Sequence, residues 1–263
     1  MCRKCIEMIF HIPHASFDIP VDLRPTLLLD DRALMEELLV MTDAHVDDLF
    51  GCHAGDEDTI VTFPVSRLIV DPERFTDDAL EIMAWVGMGV IYEQTSSGDR
   101  LRNTPSLEDR DELIRRFYVP HHKQLNDATG KELDHYGAAV ILDCHSFPSI
   151  PLPFEFDQDP DRPDICIGTD PAHTPRFLIE AAKQAVSDEG LTCRINKPSD
   201  GSLVPSHYWQ HDKRVLSIMI EINRSLFVDE ATGERSNQYE GCKAKLGKII
   251  KRIRETCISD QRT

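Results

Sequence analysis

The chain runs to 263 residues, 41% of them hydrophobic and 29% charged, which is enough apolar material for one sizeable core. Lys and Arg total 29 against 46 Asp and Glu, and the net charge of −17 repels nucleic acid and anionic membranes, so both are excluded as partners. No apolar run approaches the ~18 residues of a membrane-spanning helix, and the opening MCRKCIEMIF is too short for an export signal, so a cytoplasmic location is expected.

The first apolar strand covers 6–12 and ends in Pro13-His14. Residues 30–40 read as a helix with Leu34, Leu38 and Leu39 on one face, and Thr42 or Asp43 caps a second helix through Val46, Leu49 and Phe50. Segments 59–63, 68–70 and 90–94 read as strands, 76–86 as a helix and 95–102 as a Gly/Ser turn. A long helical stretch covers 108–136, with a kink or break at Pro120. The continuous apolar run 138–143 has the pattern of a strand buried on both faces. The Pro- and Asp-rich segment 146–175 is a long loop holding one short strand at 165–168, and loops of that length in a compact domain are usually functional. A helix at 176–189, a strand at 191–195, a flexible connection at 197–205, a buried strand at 216–222 and an amphipathic helix at 239–257 complete the chain. Strands alternating with helices predict a single α/β domain over 1–263, with a mixed, mostly parallel sheet flanked by helices. Ligands in such sheets bind at the carboxyl ends of the strands.

The eight cysteines, at 2, 5, 52, 144, 166, 193, 242 and 257, show no disulfide framework and are read as reduced thiols, including Cys2 and Cys5 of the C-x-x-C. The chemistry gathers at strand ends. One ends in His11-Ile12-Pro13-His14, another in Asp143-Cys144-His145-Ser146, and a third carries Glu221 inside LSIMIEINR. A buried carboxylate costs several kcal/mol unless it has a partner or a task. A further run, Ser66 to Arg74, supplies Arg67, Asp71, Glu73 and Arg74. These residue types suit a hydrolytic zinc site: two imidazoles and a carboxylate as ligands, a free Glu as proton acceptor, and arginines for a substrate carboxylate.

IPHAS, TDAHVDDLF, SRLIVDPERF, YVPHH, DCHSFPS, RPDICIGTD and IMIEINR stand in the order found in the N-formylglutamate amidohydrolase family, which the chain resembles from about Ile12 to Phe227. That family is similar in fold to zinc carboxypeptidases and aspartoacylases, with an eight-stranded mixed sheet. The resemblance implies a metal-dependent amidohydrolase that removes a formyl or other small acyl group from a small anionic N-acyl amino acid such as N-formylglutamate. It implies one divalent metal, zinc, held by His14, Asp43 and His145. The H-x-x-E of the wider superfamily is broken, because Phe17 stands three residues after His14; Asp43 takes the second ligand position, with His45 as its competitor. Glu221 matches the catalytic glutamate, and His207 of SHYW a histidine that polarises the scissile carbonyl or steadies the oxyanion. Arg74 matches the substrate-binding arginine, preceded here by Glu73 rather than Asn, with Arg67 and Arg224 as further anion binders. His121 and His122 are assigned structural or rim places, and Arg162 and Asp164 the fixing of the long loop. A non-catalytic binder of amino acids or peptides, and a zinc carboxypeptidase acting on peptides, are the alternative functions. The oligomeric state is not legible in the sequence.

Overall fold

The computed structural model describes residues 7–260, so Cys2 and Cys5 lie outside the described residues. The strands β1 (Met8–Ile12), β2 (Thr59–Thr62), β3 (Ala139–Phe147), β4 (Ile165–Gly168), β5 (Cys193–Ile195) and β6 (Val215–Asn223) form one six-stranded sheet in the order β2-β1-β3-β6-β4-β5. All neighbours pair parallel except β4 and β6, which are antiparallel. The α/β class and mixed, mostly parallel sheet are as expected, with six strands among the described residues where the family resemblance implies eight.

Side chains alternate across the sheet, because successive strand residues point to opposite faces. Phe10, Leu142, Cys144, Ile218 and Ile220 pack with helices α2 (Val46–Gly51), α5 (Arg176–Asp188) and α6 (Tyr239–Asp260) in the main core. Ile9, Ile141 and Val215 face the opposite side, against Leu125, Ala128 and Leu133 of α4 (Val119–Tyr136). His11, Asp143, His145 and Glu221 share the parity of that second face, and they stand toward the carboxyl ends of the central strands. Helix α1 (Asp31–Met41) packs Leu34, Leu38 and Met41 onto a separate apolar cluster built from the irregular segment between β2 and α3 (Leu107–Leu113).

The differences from the expected elements have physical causes. Leu68, Ile69 and Val70 are fully buried, but in a turn of that separate cluster rather than a ladder; burial demands apolar residues without demanding a strand. Segment 90–94 forms only isolated bridges. In 76–86 only Ile82–Val86 is helical, as a 3-10 turn. Upstream, Asp77 accepts from the Ala79 N–H, which competes with helix formation there, while Glu81 accepts from the Phe75 N–H and caps the 3-10 turn through the Met83 N–H. Helix α2 is capped neither by Thr42 nor by Asp43: the N-cap is His45, in the left-handed region at φ 64°. Pro120 does not break its helix. It lacks the N–H that would reach back four residues, and a π turn at Ile114–Tyr118, with the Val119 N–H on the Ile114 carbonyl, carries α3 into α4.

Candidate metal centre and active site

β1, β3 and β6 lie side by side, and their carboxyl ends open into a cavity of about 180 Å³ lined by His14, Asp43, His145 and Glu221 among others. His145 and Glu221 are register partners on β3 and β6, so they project from the same face. His14 follows β1, and its carbonyl accepts the Asp43 N–H at 2.9 Å, which ties the turn before α2 to the end of β1.

His14, Asp43 and His145 form a buried group whose ligand-type atoms lie within 4.8 Å of one another. Asp43 Oδ2 stands 3.3 Å from His145 Nδ1 and 3.9 Å from His14 Nδ1. The other oxygen, Oδ1, accepts from Ser146 Oγ at 3.1 Å and Arg224 Nη2 at 3.0 Å. Burial disfavours the Asp43 charge, but His145 and Arg224 outweigh it and hold the carboxyl well below its usual range.

His14 donates from Nε2 to Asp71 Oδ1 at 2.9 Å, which leaves Nδ1 bare; that atom is buried with no hydrogen-bond partner. Burial, helped by Arg67, keeps the ring's pKa below its ordinary value, so it stays neutral as a ligand must. Burial also opposes charge on His145, yet Glu73 and Asp143 overcome it and hold that pKa well above the usual imidazole value. The carboxylates around His145 therefore favour positive charge at that ring. An orphaned imidazole nitrogen, a second imidazole and a carboxylate oxygen fit a divalent cation, and each histidine is oriented by a carboxylate on its other nitrogen, the usual support for a metal-bound imidazole.

Asp71 and Asp143, present in the strand-end runs but given no role by sequence reasoning, hold the two imidazoles of this group. Asp71 accepts from His14, from Arg67 Nη2 at 2.7 Å, from Tyr92 and from the Glu73 N–H at 3.0 Å. Asp143 accepts from His11 Nδ1 at 2.8 Å, His145 Nε2 at 3.1 Å and the Leu203 N–H at 2.8 Å. The signal for Asp143 is its spacing: two residues before His145 on a strand, it must share that residue's face. His11, Glu73 and Asp143 form a second group of ligand-type atoms beside the first, with His11 and Asp143 already hydrogen-bonded to each other.

Glu221 is buried, and Oε2 has no hydrogen-bond partner. Burial, only partly offset by His145, pushes its pKa up to about 7. Arg67, Arg74 and Arg224 all line the cavity. Arg67 is committed to Asp71 and Tyr92, and Arg224 to Asp43, Ser146 and the Val40 carbonyl. Arg74 stands 3.8 Å from Asp71, and its buried Nε has no hydrogen-bond partner.

The other candidates stand apart. His207 is exposed, packs edge-on against Tyr208 and does not line this cavity. His45 does not join the ligand group; its Nε2 bonds the Gly233 carbonyl at 2.9 Å. His121 Nε2 meets His11 Nε2 at 2.9 Å, and His122 Nε2 bonds the Pro72 carbonyl at 2.7 Å. Arg162 pairs with Glu155 and donates to the Pro148 carbonyl, which pins the long loop over the cavity, while Asp164 bonds Thr192 beside β5.

The sequence signature of the N-formylglutamate amidohydrolase family matches residues 6–228. This chain belongs to that family. An N-formylglutamate deformylase of Pseudomonas putida is 24% identical over 230 residues, covering 86% of this chain and 83% of that protein. Among solved structures, the N-formylglutamate amidohydrolase of Ralstonia eutropha superposes with a TM-score of 0.79 at 22% identity, over 95% of this chain and 94% of the other. A gene product of Agrobacterium tumefaciens gives a TM-score of 0.68 at 20% identity, over 99% and 93%. At these identities the structural likenesses speak for the fold. Among the described residues, no helix is long and apolar enough to cross a membrane.

Proposed function

We propose that this member of the family is a cytoplasmic, zinc-dependent amidohydrolase that removes a formyl or other small acyl group from an N-acyl amino acid. The observation that carries the reading is the meeting, in one cavity, of the bare Nδ1 of His14, Asp43 and His145 with Glu221, a buried carboxylate whose Oε2 is unspent. A binding protein has no evident use for a buried carboxylate oxygen left without a partner beside a cation site.

His14, Asp43 and His145 would hold the metal, and two imidazoles with one carboxylate are a donor set that zinc favours. When bound, the metal supplies Lewis acidity, lowering the pKa of a water and polarising the scissile carbonyl. Asp71, through His14 Nε2, and Asp143, through His145 Nε2, fix the ring orientations. Arg224 and Ser146 occupy Asp43 Oδ1 and leave Oδ2 to face the imidazoles. Glu221 takes the proton of the attacking water and returns it to the amide nitrogen as the C–N bond breaks, releasing the carboxylic acid and the free amine. Arg74, with its unpartnered Nε, receives the substrate carboxylate, and Arg67 holds Asp71 in place beneath it.

Elemental analysis of the purified protein, with a screen of N-formyl and N-acetyl amino acids for amine release, tests the proposal. One equivalent of zinc and release that stops on chelation and returns on zinc addition are expected. A metal-loaded protein that hydrolyses none of these amides would overturn it.

A further inference from the structure

A second cavity, of about 330 Å³, adjoins the first. Glu73, Arg74, Asp200 and Met219 line both, so the second space lies directly against the first at Arg74. The first chamber, at about 180 Å³, is small beside the ~300 Å³ at which ligand sites usually begin. It suits the amide and carboxylate of an amino acid more readily than those groups together with a large side chain.

The second chamber has its own chemistry. Phe75, Leu203, Val204 and Trp209 supply apolar walls, with the Phe75 and Trp209 rings 6.1 Å apart. Trp209 is held in place by Nε1 donating to Asp170 at 2.8 Å. Asp143, Asp170 and Asp200 also line this space, and among the described residues Arg74 is its only Lys or Arg. An acidic side chain entering here meets like charges and one guanidinium already assigned to the α-carboxylate, whereas an apolar side chain gains burial.

We propose that this chamber is the side-chain subsite and that it selects N-acyl amino acids with bulky uncharged side chains, aromatic or aliphatic, over N-acylglutamate. The proposal rests on the amidohydrolase reading above, but concerns a different part of the cavity.

The test is kcat/KM of the zinc-loaded enzyme on N-formylphenylalanine, N-formylleucine, N-formylglutamate and N-formylglycine, with calorimetric binding of the same compounds. Phenylalanine and leucine derivatives are expected to exceed the glutamate derivative by at least about tenfold, in turnover and in affinity. Trp209→Ala should lower the ratio of phenylalanine to glycine derivative about tenfold, and Trp209→Phe should restore most of it. A glutamate derivative that equals or exceeds the phenylalanine derivative overturns the subsite, as does a Trp209→Ala variant that leaves the ratio unchanged. Should no compound be hydrolysed while the binding preference holds, the subsite stands and the amidohydrolase reading falls.

Discussion

The two imidazoles and four carboxylates around the cavity differ in what they have left to give. His14 spends Nε2 on Asp71 and keeps Nδ1 bare, and Glu221 keeps one oxygen bare; Asp43 spends one oxygen on Arg224 and Ser146 and turns the other toward the imidazoles. Asp71 and Asp143 are fully engaged and act as anchors. The division predicts opposite outcomes for two substitutions. Glu221→Gln conserves volume and removes the proton acceptor, so zinc content should stay at one equivalent while kcat falls about 10²–10⁴-fold. His14→Ala removes a ligand, so zinc should be lost on dialysis together with activity. Elemental analysis and amine release on both variants read the difference; loss of zinc from Glu221→Gln would make Glu221 a ligand. His14, His145 and Glu221 were legible as chemistry because each is an ionisable residue inside or just after an apolar strand run, whereas Asp43 was pointed to by the family resemblance. The anchoring roles of Asp71 and Asp143 were not, because a sequence does not show which carboxylate has its lone pairs occupied.

The elements that were easiest to read are those whose partners are local or whose burial is complete. Helix α1 caps itself with Asp30 on the Ala33 N–H, and β3 and β6, buried along almost their whole length, carry long apolar stretches because both faces are covered. The segments misread as strands or as a helix lie between β2 and α3, where side chains compete for backbone groups or where apolar residues fill a separate cluster. A third kind of constraint sits at the end of β4. A Cβ on Gly168 would lie 2.2 Å from the Gly201 carbonyl oxygen and 2.3 Å from Met219 Cε, and the backbone there cannot give way without moving Asp200 beside it. Gly168→Ala should therefore lower stability by about 1–3 kcal/mol and reduce activity. Denaturant midpoints and kcat/KM check both; a variant with wild-type stability and activity would show that segment 199–201 moves freely.

At the scale of the molecule, one carboxylate joins parts distant in sequence. Asp58 accepts from the Met8 N–H at 2.7 Å and the Gly55 N–H at 2.6 Å, and both its oxygens meet Arg254 of α6, at 2.7 and 2.5 Å. It thus fastens the start of β1 and the turn before β2 to the last helix. Burial raises its pKa, but Arg254 and the two N–H groups outweigh this and depress it below the ordinary carboxylate value. A depressed folded-state pKa gives stability that is present above the unfolded value and lost as pH falls through the folded one. Asp58→Asn should cost about 2 kcal/mol at pH 7, and the gap between variant and parent should narrow below about pH 4. Urea midpoints at pH 7 and in acid measure it; a gap independent of pH would mean that packing, not charge, holds the junction.

Length, charge balance and the alternation of apolar runs already determined an α/β domain with its chemistry at strand ends, because hydrophobic period and buried polar cost are local properties of a chain. The ordered motif blocks likewise pointed to the family. What only the tertiary structure decided is which strand ends are neighbours and which polar atoms remain unspent. The order β1-β3-β6 sets His14, His145 and Glu221 side by side across more than two hundred residues of chain, and the fold turns His207 out to the surface and His45 away to Gly233. Those outcomes depend on long-range pairing and on competition for hydrogen bonds, and neither is written in the spacing of residues along the chain.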